Sequence, residues 1–296
     1  MNSATDPLFR FNTKNPDAVI SIIDESLEMK TAIRCELFSS VSLSEVALAL
    51  FDKKQNKFLA LEVFQNDKEN DDTWIQEIKE KSIILKKDTI KSVHVEIINE
   101  LTTIVPAALF HEDDAATYFN FNFSDIGSTL KTERIPFFDA INIYSLPESL
   151  NKTMHQLFEH PNVHHHSTVL LQGINLYMKK FNEKMLLLNI RNGYVDIIVT
   201  EGKQLVFINA FQYKTIDDLA YFVMFVCDRL QLNPETISTG LMGQVERESA
   251  IFHLLTKYIR NIRFVSRPDF FEYSYVFEEI PAHFYFNLFS LALCES

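Results

Sequence analysis

Three neighbouring histidines, His164-His165-His166, are the first residues whose type and spacing suggest chemistry. On a strand His164 and His166 share a face, an H-x-H pair that ligates zinc when a third donor joins it. His155, Glu159 and His160 lie just upstream. No second ligand pair at metal spacing occurs elsewhere, so the run is assigned a structural use and no metal is expected. Cys35, Cys227 and Cys294 are odd in number, widely spaced and set in apolar patterns, as buried thiols of a reducing compartment are. No Gly-x-Ser-x-Gly elbow supplies a nucleophile. His94, His111, His253 and His283 stand alone and read as packed or exposed side chains. Two glycines, Gly240 and Gly243, close a short apolar run, and Arg191 precedes an Asn-Gly pair. Glycine lets a backbone approach a ligand closely, and arginine can pair with an anion. Arg191, Gly240 and Gly243 are therefore kept as candidate site residues. A turn or packing role competes for each, and no catalytic residue stands beside them.

The elements that hold these residues follow from hydrophobic period. MLLLNI (185–190), YVDIIVT (194–200) and QLVFINAF (204–211) are strand-like runs joined by Arg191-Asn192-Gly193 and Glu201-Gly202-Lys203. Asn-Gly supplies the positive φ of a tight hairpin, so the runs predict an antiparallel meander. Thr215 with Asp218 then opens a helix whose apolar positions run from Ile216 to Leu230, until Asn233-Pro234 stops it. A strand over 237–242, a helix over 246–260 and a strand over 262–265 follow. The order β-β-β-α-β-α-β, with right-handed parallel crossovers, is the ribonuclease H-like layout used by each half of the actin, Hsp70 and sugar-kinase ATPases.

The first half opens in the same way. LFSSVSL (37–43), a turn at Ser44-Glu45, VALALF (46–51) and FLALEVF (58–64) repeat the meander, and a charged loop (67–72), a helix (73–85) and a strand (92–98) follow. Two copies some 150 residues apart predict a duplicated fold. The predicted domains are 1–167, with an insertion at about 99–135, and 168–296. Residues 1–30 read as a loosely held lead-in. EYSYVF (272–277) reads as a strand, and 281–293 as a helix apolar on nearly every side, packed at the domain junction.

Composition narrows the function classes. A net charge of -12 lacks the basic footprint of a nucleic-acid binder. No apolar stretch reaches the length of a membrane span and the N-terminus lacks a signal-peptide pattern, so a cytoplasmic, soluble protein is expected. With 26 Phe against one Trp, the cores should be built on phenylalanine. A two-metal nuclease would need carboxylates on the first strand, and neither LFSSVSL nor MLLLNI has one. Asp196 and Asp52 read as solvated.

VPAALF (105–110), DDLAYFVMFVCDRL (217–230), TGLMG (239–243) and IPAHFYFNLFSLALCE (280–295) together resemble the domain of unknown function 3822 family. These are bacterial proteins with an actin-like ATPase fold and no assigned activity. The resemblance runs from about residue 35 to the end. It is most specific at Pro281, His283, Tyr285, Leu288, Leu291, Cys294 and Glu295. It implies a fold and brings no catalytic residues. An ATPase of that fold carries an Asp one residue before a Gly in the first hairpin of each half, to position metal and phosphate. Here Asn189 and Arg191 occupy those places in the second half, and Val41 and Leu43 in the first. The expectation is a non-catalytic binding or assembly protein with degenerate phosphate loops and a protein partner. The alternative is an atypical nucleotide-binding ATPase or kinase-like enzyme that takes ATP and Mg²⁺ through Arg191, Gly240 and Gly243.

Overall fold

The computed structural model describes residues 18–29, 35–66, 73–87, 90–124, 129–179 and 183–294. The charged run 67–72, the first seventeen residues and Glu295 lie outside them. The chain forms two compact units. The N-terminal unit contains 18–173, Asp269–Ile280 and 287–294; the C-terminal unit contains Ile174–Pro268 and Pro281–Phe286.

In the N-terminal unit β1 (Ile20–Ile23) and a one-turn helix α1 (Ser26–Met29) precede the meander β2 (Cys35–Val41), β3 (Glu45–Asp52) and β4 (Lys57–Gln65). Helix α2 (Trp74–Lys81) and β5 (Ile90–Ile97) follow. The expected lead-in is in part firmly held: all four residues of β1 are buried, and Ile20 to Ile23 pair with Val63 to Ala60 of β4. Burial of an apolar run on a free strand edge overrides its polar flanks. The first hairpin turns one residue group earlier than expected. Ser42 N–H bonds the Glu45 carbonyl (2.9 Å), and Ser42 Oγ accepts from the Glu45 (2.8 Å) and Ser44 (3.2 Å) amides.

A small sheet then interrupts the plan. It comprises β6 (Thr102–Pro106), helix α3 (Ala115–Asn122), β7 (Thr129–Ile135) and β8 (Ala140–Leu146), in the order β6-β8-β7. The insertion thus extends beyond 135, because its central strand is β8; pairing across sequence gaps leaves no local signature. Val105, Phe119 and Ile143 form its own core. Helix α4 (Glu148–Leu157), β9 (Asn162–His165) and helix α5 (His166–Met178) return to the main plan. The main sheet runs β1-β4-β3-β2-β5-β9, with β5 and β9 parallel to β2.

The C-terminal unit contains β10 (Lys184–Arg191), β11 (Tyr194–Glu201), β12 (Gln204–Gln212), helix α6 (Ile216–Arg229), β13 (Ser238–Gly243), helix α7 (Ala250–Tyr258) and β14 (Ile262–Phe264). Its order, β12-β11-β10-β13-β14, matches β4-β3-β2-β5-β9. Asn192-Gly193 makes the two-residue turn, with Gly193 at φ 72°. Thr215 and Asp218 form a reciprocal capping box at α6. Ser249 caps α7, which starts four residues later than the pattern suggested. Leu186, Leu188 and Ile190 of β10, with Val195, Ile197 and Val199 of β11, pack against Leu219 and Val223 of α6 and Leu255 of α7.

The chain end departs from expectation. Only β15 (Glu272–Tyr273) is strand, paired parallel to β4, and Tyr275–Glu279 forms a 3-10 turn. The predicted helix over 281–293 is not continuous. Tyr285 sits at φ 55°, leaving helix α8 (Phe286–Ser290) and a 3-10 turn at Leu291–Leu293. A run apolar on every side has no period to fix its backbone, so burial decides its path. Pro281–Phe286 belong to the C-terminal unit and the residues after Phe286 to the N-terminal one. There Phe58, Phe277 and Phe289 pack edge to face, with centroids 4.9 and 5.6 Å apart.

Candidate functional site

Strands β10 and β13 run parallel, with Asn189 beside Met242 and Ile190 beside Gly243. Alternation sends Leu186, Leu188 and Ile190 to the helices and leaves Asn189 and Arg191 on the opposite face. Across the hairpin, Asp196 is the register partner of Asn189. Its carboxylate is buried and accepts Arg191 Nε and Nη2 (2.8 Å each) and Asn189 Nδ2 (2.8 Å). The Arg191 guanidinium also lies over the Tyr194 ring, 5.3 Å from its centroid. A bidentate pair with Asp196 turns Arg191 inward, and its side chain is 16% exposed. Asp196 is not solvated either. Sequence spacing could have found this pair, since the two-residue turn sets Asn189 opposite Asp196.

The glycines have packing reasons. A Cβ on Gly240 would lie 2.6 Å from Leu187 Cδ2 and 3.0 Å from Val265 Cγ2. Gly243 has φ 85°, and a Cβ there would lie 2.1 Å from the Ile190 carbonyl and 2.8 Å from Asn189 Oδ1. Its amide donates to the His283 carbonyl (3.0 Å), and the Gln244 amide to the Ile190 carbonyl (2.8 Å). His283 is buried, stacks on Phe264 at 4.1 Å, and donates from Nε2 to the Val245 carbonyl. Burial holds its pKa below the ordinary histidine value, with Arg267 and Arg247 acting in the same sense and the Val245 bond opposing. A neutral imidazole therefore ties 281–286 to the exit of β13.

At the equivalent end of the N-terminal sheet, Val41 ends β2 and Leu43 lies exposed in the turn. Glu96 of β5 is buried and accepts from Ser40 Oγ and from Asn287 Nδ2 (3.4 Å). The Asn287 amide also donates to the His166 carbonyl (3.2 Å). Each sheet therefore keeps a buried carboxylate near this end, satisfied by residues of its own unit. Asp52, expected to be solvated, is buried and accepts from the Lys54 (2.9 Å) and Gln55 (3.1 Å) amides of its own turn.

The histidine run does not form a strand pair of ligands. His165 ends β9 and His166 starts α5, so the expected common face of His164 and His166 is lost. His165 Nδ1 accepts from the Ser167 amide (3.2 Å) and lies 3.3 Å from Asn142 Nδ2. Glu133 accepts the His165 amide (3.1 Å) and the Tyr144 hydroxyl (3.1 Å), and His164 Nδ1 lies 3.7 Å away. Burial raises the Glu133 pKa against those hydrogen bonds. Asn142 also bonds Thr168 Oγ1 (3.0 Å) and Thr102 Oγ1. This polar network joins the small sheet to β9 and α5, and sequence alone gave no sign of it. Among the described residues no group of three or more His, Cys, Asp or Glu side chains could hold a metal ion.

A family profile, described as a protein of unknown function (DUF3822), matches residues 24–262. The chain belongs to the DUF3822 family. This DUF3822 chain has the actin-like ATPase fold. It superposes on a Bacteroides thetaiotaomicron VPI-5482 protein with that fold and unknown function at a TM-score of 0.70 and 19% identity, covering 79% of this chain and 91% of that one. A PilM-PilN type IV pilus biogenesis complex matches at a TM-score of 0.65 and 12% identity, over 88% of this chain and 98% of that one. No curated protein matches the sequence. Among the described residues no helix is long and apolar enough to cross a membrane.

Proposed function

We propose that this DUF3822 protein is a non-catalytic actin-like protein of the bacterial cytoplasm that works by binding or assembling with a protein partner, its phosphate loops being degenerate. The observation that carries the reading is the Asn189–Asp196–Arg191 cluster. The cation nearest the second hairpin already neutralises a buried carboxylate. The hairpin itself is a two-residue turn, too short to wrap a phosphate. At Gly243 the Ile190 carbonyl fills the space a Cβ would need, so packing against β10 accounts for the glycine without a phosphate. Phosphoryl transfer depends on positioned cations and amides, so a site without them has little with which to stabilise its transition state. The structural neighbour solved as PilM with PilN supports a protein partner. Buried free thiols at Cys35 and Cys227 support a reducing compartment.

A thermal-shift titration with ATP and Mg²⁺ tests the reading, and no response is the expected result. Ligand at a hundred times its Kd would stabilise the fold by about 2.7 kcal/mol. A saturable shift of that size, lost in Arg191→Ala, would establish the nucleotide-binding ATPase or kinase-like alternative instead. Affinity capture from a native extract, followed by mass spectrometry, should return a stoichiometric protein partner.

A further inference from the structure

The two main sheets have the same strand order, yet their outer meander strands are treated differently. In the N-terminal unit the far side of β4 is occupied: β1 pairs with it antiparallel and β15 parallel. In the C-terminal unit the equivalent strand, β12, ends the sheet and pairs among the described residues with β11 alone. Natural edge strands are short or carry charge, proline or an inward bend to prevent pairing. From Gln204 to Gln212 β12 is nine residues long and contains no charged residue, proline or glycine. Its one irregularity is the bulge opposite Val199 and Thr200, near its start.

The ladder parity identifies the groups on the open side. The Tyr213 amide donates to the Gly193 carbonyl (2.9 Å), making Gly193 and Tyr213 a hydrogen-bonded pair. Antiparallel pairs alternate, so Phe211 and Asn209 bond to β11, while the amides and carbonyls of Ile208, Ala210 and Gln212 point away from it. The Ala210 amide confirms this direction, since it donates to its neighbour's Asn209 Oδ1 (3.0 Å) and not to β11.

We propose that this edge pairs antiparallel with the β12 edge of a second copy of the chain, about a twofold axis at Ala210. That register avoids the bulge. It sets Ala210 opposite Ala210 and Ile208 opposite Gln212, so all three outward residues of each copy exchange bonds once the Ala210 amide leaves Asn209 Oδ1 for the other copy's carbonyl. Within 208–212 it places no charge opposite another. In a chain of net charge -12, where most of the surface would repel a second copy, an uncharged edge strand of nine residues is suited to one. β1 on β4 is the internal precedent for an apolar antiparallel strand in this position. The inference does not use the β10–β13 end, and stands or falls separately from the nucleotide titration.

Light scattering coupled to size exclusion tests it, at two loadings about tenfold apart. The expected mass is twice 34.4 kDa at the higher loading. Ala210→Lys sets like charges opposite on the axis, and Ala210→Pro removes an outward donor without touching the β11 ladder. Each should raise the dimer dissociation constant at least about tenfold with an unchanged circular dichroism spectrum. Hydrogen exchange on the unaltered protein is a check that needs no variant: the Ile208, Ala210 and Gln212 amides should slow as concentration rises. A monomer at both loadings with fast exchange at these amides overturns the proposal, and so does a dimer that persists in both variants.

Discussion

Replacing Arg191 with alanine strips the bidentate counter-charge from the Asp196 carboxylate, whose side chain is 3% exposed. Removing one partner of a buried ion pair costs about 3–5 kcal/mol, chiefly because the remaining charge stays desolvated. Arg191 itself is 16% exposed, so water can reach the vacated space, and the lower end, about 3 kcal/mol, is the appropriate figure. Loss of the contact with the Tyr194 ring adds about 0.5 kcal/mol. With a urea slope of about 2 kcal/mol/M, the combined loss of about 3.5 kcal/mol should lower the midpoint by about 1.75 M. Circular dichroism at neutral pH would measure it. Asp196→Asn in the Arg191→Ala background should recover a large part of the loss, because an amide needs no counter-charge. Arg191→Lys should fall between, keeping the charge without the fork geometry. A midpoint unchanged in Arg191→Ala, or a double variant no better than the single one, would refute the claim that Arg191 serves Asp196.

Three further outcomes are expected. Gly243→Ala should destabilise by about 3 kcal/mol or more, since its Cβ meets a backbone carbonyl at a positive φ; Gly240→Ala should cost about 1–2 kcal/mol, because the Leu187 terminus it meets can rotate. Paired urea melts decide whether that order holds. Burial holds the His283 pKa below 6.5, so the unfolded chain takes up the proton first as pH falls. Its contribution is present above about pH 6.5 and is lost as pH drops through the lower folded value. His283→Gln should therefore flatten the decline in stability between about pH 7 and pH 5. Burial pushes the Cys35 thiol up to about 12, with Asp52 adding, and the Cys227 thiol up to about 11. A disulfide reagent at mildly alkaline pH should label half-exposed Cys294 in the folded protein and reach the other two only in denaturant.

Strand order, the two meanders, the Asn192-Gly193 turn and the Thr215–Asp218 cap were legible in the sequence. Each is set by neighbours a few residues apart, through alternation, positive φ or reciprocal hydrogen bonding. The absence of an Asp-Gly pair in either first hairpin was equally plain. What Arg191, Gly240 and Gly243 do was not, since each role depends on a partner from another strand: Asp196, Leu187 and the Ile190 carbonyl. The same holds for His164-His165-His166, where the change from strand to helix falls inside the run and the acceptors come from the small sheet.

Residue spacing by itself determined that this protein alternates and winds as an actin-like chain, because backbone period is a local property of side-chain burial. Tertiary structure alone decided which polar groups meet. Burial desolvates a charge wherever the fold carries it, so Asp196 and Glu96 had to find partners that no local spacing names.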